Sequence, residues 1–276
     1  MKYFLILILA LATSCTQKNK TNKELLLLRG PVKSIRTTSY SAEEKFGSIV
    51  KGEQTWTESI KKFNEEGMFE ETIDYFDGNE SDKSIYKYNN KNEPIEIRYY
   101  KKGIIQWTSK YVNDTITVYD AKDSIIRQFS AIETYASDTT RYYDDNGNVD
   151  RVVIIKVDNK LPQEIAFYDS EGKLTFKQSR KYTPKGQCIE IIDDNRHKID
   201  TALFIYDNQG RLIKGKNCND PNIPFGSPID PGIEYTFEYK DYDNYKNWLT
   251  CITYKQLSYE NTPAPSTITN REIEYY

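Results

Sequence analysis

One short pattern recurs along this chain and limits its fold more than any other feature: an aromatic residue, then Asp or Asn, two variable positions, then Gly. It reads Phe63-Asn64-Glu65-Glu66-Gly67, Tyr143-Asp144-Asp145-Asn146-Gly147, Tyr168-Asp169-Ser170-Glu171-Gly172 and Tyr206-Asp207-Asn208-Gln209-Gly210. Weaker copies start at Tyr88, Tyr99, Tyr119, Tyr182 and Tyr242 and replace the Asp, the Gly or both. The starts at 119, 143 and 168 are 24 and 25 residues apart, 182 and 206 are 24 apart, and 88 and 99 are 11 apart. Asp or Asn at the first turn position accepts hydrogen bonds from the backbone two residues on, and Gly at the fourth takes positive φ. Each copy therefore reads as a hairpin turn, so about 12 residues hold a strand and a turn and about 24 a hairpin.

The flanks agree with that reading. Ile95, Ile97 and Tyr99 alternate with Glu96 and Arg98, and Ile233, Tyr235, Phe237 and Tyr239 alternate with Glu234, Thr236 and Glu238. Period two with one polar face is the mark of a half-buried antiparallel strand. No long stretch has a helical period; Leu25 to Leu28 makes at most one turn or the start of the first strand. Roughly 16 to 20 strands fit, and a sheet of that size must curl, split or stack. The expected fold is all-β: a long twisted antiparallel meander of repeated β-hairpins, curled into a half-pipe or partial barrel.

Apolar residues make up 38% of the 276 positions, below the roughly 45–50% of typical globular chains. The 23 Tyr, 11 Phe and 3 Trp cover the deficit; Tyr, with an apolar body and a polar tip, suits a thin sheet better than a thick core. The formal net charge of −3 comes from 38 basic and 41 acidic residues that are well mixed, so no basic stripe points to nucleic acid.

The N-terminus carries a second signal. Met1-Lys2 is followed by the uncharged run Tyr3 to Leu11 and then Ala12-Thr13-Ser14-Cys15. A charged start, a short apolar core and small residues before a cut define a secretory signal, and the run is shorter than the roughly 20 residues that span a bilayer. The Cys directly after the small residues resembles the lipobox of bacterial lipoproteins. That resemblance implies cleavage before Cys15 and acylation there, which anchors a protein without a spanning helix. The chain then divides into a signal peptide (1–14), a lipidated Cys and polar tether (15–29) and a β domain (30–276). Lipid anchoring in the cell envelope is expected, in the outer membrane; with no acidic run after Cys15, the periplasmic leaflet is slightly favoured.

Tyr206 to Leu212 resembles the core of the YD repeat of rearrangement-hotspot (RHS) proteins, and Tyr168 to Leu174 and Tyr143 to Val149 match it nearly as well. The end, Tyr242-Asp243 through Asn247-Trp248 and on to Tyr276, is similar to uncharacterised repeat lipoproteins in which Gly stands where this chain has Lys246. The resemblance covers most of 60–276. It implies the hairpin repeat; the chain is far too short for the closed shells that large RHS proteins build around toxins.

The remaining chemistry is sparse. Cys188, Cys218 and Cys251 allow one disulfide and one thiol, or three separate thiols, and sequence leaves the pairing open. His197 is the single imidazole, follows a polar run and has no second His to share a metal. Asp144 to Asn148 has calcium-loop acids, but Ile155 stands where the closing Glu belongs, so a turn is the plainer reading. Asp193-Asp194 is a carboxylate pair best read as a loop, since adjacent strand residues point to opposite faces. Several Asp-Thr or Asp-Ser triplets, such as Asp200-Thr201-Ala202, resemble O-glycosylation acceptors of periplasmic proteins. No Gly-x-Ser-x-Gly elbow or phosphate loop occurs.

Two features suggest binding. The segment from Gly215 to Gly232 holds Pro221, Pro224, Pro228, Pro231 and Phe225; a loop that long is either functional or a stiff cover for a sheet edge. Trp56, Trp107 and Trp248 are candidates for an open aromatic face that would stack on sugars or anchor a protein, against the plainer reading of cross-strand packing. The expectation is a non-catalytic, membrane-anchored binding or scaffold module of the envelope, with no cofactor or metal and a protein partner. The alternative is a surface glycan-binding lipoprotein using Trp56, Trp107, Trp248 and Phe225.

Overall fold

The computed structural model describes residues 21–112, 115–130, 138–143, 149–158, 161–195, 198–218, 220 and 232–276. The signal segment, Cys15, the Asp144 to Asn148 turn, His197 and the proline-rich stretch with Phe225 lie outside the described residues.

The described chain is all-β apart from one helical turn, α1 (Asn22–Leu25). Thr21 caps α1: its hydroxyl accepts from the Glu24 N–H at 3.2 Å, and the Glu24 carboxylate accepts from the Thr21 N–H at 2.8 Å, a reciprocal box that holds a helix too short to stand alone. Eighteen strands follow among the described residues. They are β1 (Val32–Lys45), β2 (Ser48–Phe63), β3 (Phe69–Phe76), β4 (Asn79–Tyr88), β5 (Pro94–Lys101), β6 (Ile104–Val112), β7 (Thr115–Asp120), β8 (Ile125–Ser130) and β9 (Asp138–Tyr143). The chain continues with β10 (Val149–Asp158), β11 (Leu161–Asp169), β12 (Leu174–Tyr182), β13 (Cys188–Asp194), β14 (Ile199–Tyr206), β15 (Leu212–Lys216), β16 (Ile233–Tyr242), β17 (Trp248–Leu257) and β18 (Ala264–Tyr275). They form one antiparallel meander in which sequence neighbours pair. The last strand also returns to the first, with Ile35 opposite Ile273 and Ser41 opposite Thr267.

The repeat makes the turns as expected. Asp169 Oδ1 accepts from the N–H groups of Glu171 (3.1 Å) and Lys173 (2.8 Å), and Asp207 Oδ1 accepts from Gln209 (2.8 Å) and Arg211 (2.9 Å). The fourth position is left-handed at Gly67, Gly172 and Gly210, with φ of 83°, 76° and 85°. Each turn ends in a one-residue bulge at the aromatic, which then faces an apolar or ring residue six positions on. Phe63 pairs with Phe69, Tyr119 with Ile125, Tyr168 with Leu174, Tyr182 with Cys188 and Tyr206 with Leu212. The extra residue strengthens the local twist, so every copy both turns the chain and coils the sheet.

The weaker copies keep this geometry with other residues. Asn92, Asp123 and Lys246 replace Gly at φ of 59°, 60° and 66°. Thr183 replaces Asp and accepts from the Gln187 N–H at 3.2 Å. The copy read at Tyr99 is a correction: the chain reverses three residues later at Lys102-Gly103, both at positive φ (50° and 74°). That is the two-residue turn whose twist matches the strands, also seen at Phe46-Gly47 and Asp77-Gly78.

The single β domain expected from sequence consists of two compact units. One comprises Ile132–Thr236 with Lys255–Pro263. Its apolar residues gather around Cys188, Ile191, Ala202, Phe204 and Cys218, and around Val153, Ile155 and Ile165. The other comprises Asn19–Ala131 with Phe237–Tyr254 and Ala264–Tyr276. Its cluster of Leu28, Val32, Ile35 and Phe63 is flanked by Leu26, Phe69, Ile273 and Tyr275. Small clusters along a sheet are what an aromatic-rich, apolar-poor chain can build.

Candidate functional site

The three aromatic candidates have different fates. Trp107, on β6, is 4% exposed and stacks on Tyr99 of β5, the ring centroids 5.2 Å apart. The two residues are register partners, so cross-strand packing, not ligand display, fixes the Trp107 ring. This corrects its reading as an open platform. Trp248 begins β17; Tyr239 packs at one side, 5.3 Å between centroids, and the Arg271 guanidinium covers the ring at 3.4 Å. Trp56 is on β2, but its side chain is outside the described residues, as is all of Phe225.

Around Trp107 the sheet carries carboxylates. Asp74 on β3 stands directly opposite Asp82 on β4, and the Tyr99 hydroxyl donates to Asp82. Burial, with the facing Asp82 charge added, pushes the Asp74 carboxyl above the usual carboxylate range, while Lys61 pulls it down. Like charges directly opposite weaken a sheet, so this pair costs stability. Among the described residues no group of three His, Cys, Asp or Glu is disposed to hold a metal.

In the other unit a polar cluster sits in the interior. Gln178, Arg180 and Asp193 are 0%, 8% and 8% exposed. Gln178 Nε2 donates to Asp193 Oδ1 at 2.7 Å, and its Oε1 accepts from the Arg180 Nε (3.2 Å) and terminal nitrogen (2.9 Å). Burial raises the Asp193 pKa against the pull of Gln178 and Arg180. Asp193 and Asp194 close β13 rather than lying in a loop, so no open carboxylate pair exists there; Asp193 is spent on the Gln178 amide. Sequence gave no sign of Gln178, because only the cross-strand register reveals its partner.

The cysteines are placed as well. Cys188 and Cys218 share one apolar cluster, and Cys251 lies on β17 in the other unit. All three are buried and none is in a disulfide, and burial pushes Cys188 up to about 11 and Cys251 up to about 12. Such thiols are inert nucleophiles.

An open cleft of about 610 Å³ lies in the unit that holds β1, lined by Lys33, Lys62, Phe63, Glu70, Glu274 and Tyr276 among others. Its two lysines are paired: Lys33 meets Glu274 at 2.7 Å and Lys62 meets Glu71 at 2.5 Å. Nearby, Asn247 joins the chain's beginning to its end. Asn247 is 2% exposed. It accepts from the Arg29 N–H at 2.7 Å and donates to the Arg29 carbonyl and the Tyr275 hydroxyl, both at 2.9 Å. Asn247, singled out with Trp248 in the sequence, is thus a structural clamp.

The unit exposes apolar side chains at strand ends, among them Val112 (62%) at the close of β6. Phe46 in the β1–β2 turn is fully exposed, and Phe76 (51%), Ile104 (66%) and Ile125 (63%) are strand ends beside the β3–β4, β5–β6 and β7–β8 turns. In a meander alternate turns share one end, so all four lie toward the same end of their strands. The β1–β2 hairpin projects furthest. β18 leaves β1 at Ser41 and β3 meets β2 only from Thr57, so Ala42–Lys45 and Ser48–Lys51 pair only with each other. The opposite end of β1 is where α1 docks, with the Lys23 N–H donating to the Gly67 carbonyl at 3.0 Å.

No protein-family model matches the chain, and no curated protein matches it. Among solved structures, a porin-like protein from Bacteroides uniformis is similar at 12% identity and a TM-score of 0.45, over 89% of this chain and 99% of that one. TcdB2-TccC3-TEV is similar at 12% identity and a TM-score of 0.28, over 86% of this chain and 12% of that one. A LolA superfamily protein from Nitrosomonas europaea is similar at 9% identity and a TM-score of 0.22, over 95% and 91%. Likenesses of this size assign neither family nor activity.

Proposed function

We propose that this protein is a non-catalytic binding or scaffold module, tethered to the cell-envelope membrane through Cys15, that presents its apolar hairpin turns to a protein partner. The exposed end carries the reading. Phe46 in its turn, and Phe76, Ile104 and Ile125 at strand ends beside three further turns of the same end, stand in solvent, where a monomer with nothing to bind favours polar residues. Phe46 also holds φ of 53° in a position that suits Asn, Asp or Gly, so local preference is set aside for an exposed ring. The tether enters at the other end: six residues from Cys15 to Thr21 reach at most about 21 Å. The 13 steps of β1 carry Lys45 about 43 Å from Val32. The turns thus stand away from the lipid when β1 is upright on the membrane.

The glycan alternative has less support. Of its platforms, the Trp107 ring is buried against Tyr99 and the Trp248 face is covered by Arg271.

The test uses the full chain in its own cell. Cys15→Ala is expected to move the protein from the membrane to the soluble fraction. A photo-cross-linking side chain at position 46 or 104 is expected to give a discrete protein adduct in intact cells, and one at Asn90, on an opposite-end turn, none. Membrane retention of Cys15→Ala overturns the anchor; absence of adducts at both turn positions overturns the docking end.

A further inference from the structure

Arg271 is a cation that meets an aromatic ring and, among the described residues, no carboxylate. It lies on β18 opposite Thr37 of β1 and shares a strand face with Ile273. Several other cations of this unit meet carboxylates, Lys62 and Lys83 at Glu71, Lys87 and Arg98 at Glu96, and Arg36 at Glu58, while Lys51 and Lys110 lie over the Tyr40 and Tyr119 rings. Among the described residues no carboxylate pairs with Arg271. The groups that face it are the Trp248 ring, 3.4 Å from the guanidinium carbon, the Tyr239 hydroxyl and the Cys251 thiol. None of the three is a carboxylate, and burial pushes the Cys251 thiol up to about 12. The Arg271 Nε is buried and makes no hydrogen bond. Burial alone pulls the guanidinium down to about 10.

A half-buried charge without a partner is unfavourable, and an aromatic face returns only part of what desolvation removes. Deleting such a charge normally helps a fold, and a destabilising group kept in place is characteristic of a binding site. The Trp248 ring covers one face of the guanidinium and Nε is buried, so the two terminal nitrogens are the donors that can engage a ligand.

We propose that Arg271, oriented by Trp248, is the recognition site for a carboxylate ligand, held by the guanidinium edge. A planar carboxylate matches two parallel N–H donors. The single positive charge matches a monoanion, whereas a phosphate dianion calls for more than one cation. The site stands apart from the exposed turns of the preceding section and does not depend on them.

The experiment titrates the whole soluble chain with acetate against chloride at constant ionic strength, read by tryptophan fluorescence, with inorganic phosphate as a second probe. Acetate is expected to give a saturable change in the millimolar range and phosphate a weaker one. Arg271→Lys keeps the charge and loses the fork, and should weaken acetate binding at least about tenfold. Arg271→Met should abolish the response and melt higher than wild type, whereas a merely structural arginine would melt lower when replaced. A non-saturable response, unchanged acetate affinity in Arg271→Lys, or tighter binding of phosphate than acetate overturns the proposal. Should Arg271→Met fail to fold, the Lys variant decides alone.

Discussion

Asp207 shows how much of this fold rests on single side chains. One of its oxygens accepts two backbone N–H groups at 2.8 and 2.9 Å, and the other takes the Arg211 Nε at 2.6 Å. Against the cost of burial, these bonds hold its carboxyl below the usual range. A group with a depressed folded pKa contributes stability above its unfolded value, about 4, and loses it as pH falls through the folded one. Asp207→Ala should cost about 1–2 kcal/mol at pH 7, read from the urea midpoint, with the deficit shrinking below pH 4. An undiminished deficit at pH 3 would mean that the charge is not what matters. Asp74 has the reverse sign. Its folded pKa is raised, first by burial and then by Asp82, so stability is lost as pH climbs from about 4 through the folded value. Asp74→Asn should therefore raise the thermal midpoint at pH 7 and lose that advantage toward pH 4; a lower midpoint at pH 7 would overturn the like-charge reading. The Asp207 turn was readable in the sequence because its partners lie within four positions. Asp74, Gln178 and Arg271 were not, because each owes its state to a residue on another strand.

At the scale of the hairpin, the repeat tolerates substitution at a cost that can be measured. Lys246 adopts φ of 66° where stronger copies use Gly, yet Asp243 still accepts from the Tyr245 and Asn247 N–H groups at 2.9 Å each. The turn at Lys246 is thus regular, and the backbone bears the strain. Lys246→Gly should stabilise the protein by about 1 kcal/mol, measured by chemical denaturation. A loss instead would show that the Lys side chain matters more than its φ. The turns of the aromatic–Asp copies were legible, since they follow from local chemistry, whereas the two-residue turns at Phe46-Gly47, Asp77-Gly78 and Lys102-Gly103 were not. Strand lengths were not: the free β1–β2 arm exists because β18 and β3 stop short of it. Nothing in residues 42–51 announces where their neighbours end. Of the two readings open for Trp107, display and cross-strand packing, only the register decides, because alternation says that one face is buried but not which one.

At the scale of the molecule, the unit that holds β1 is assembled from the two ends of the chain. Lys33 bonds Glu274 across 241 positions, and the apolar cluster of Leu28, Val32, Ile35 and Phe63 borrows Ile273 and Tyr275 from the last strand. Contacts that distant carry a large loop-closure cost before they return any stability, so they form late. Removing Ala264–Tyr276 strips β1 of one neighbour, opens its edge and takes the Tyr275 hydroxyl from Asn247. The other unit keeps its own clusters, around Ile191 and around Ile165. The truncated chain should therefore lose amide-exchange protection along β1 and β17 while β12, β13 and β14 stay protected, measured by hydrogen exchange with mass spectrometry. Refolding of the full chain should restore protection in the same order, with β12–β14 ahead of β1. Loss of protection everywhere would show that the two units fold as one cooperative body. Retention along β1 would show that its pairing with β2 suffices without the returning strand.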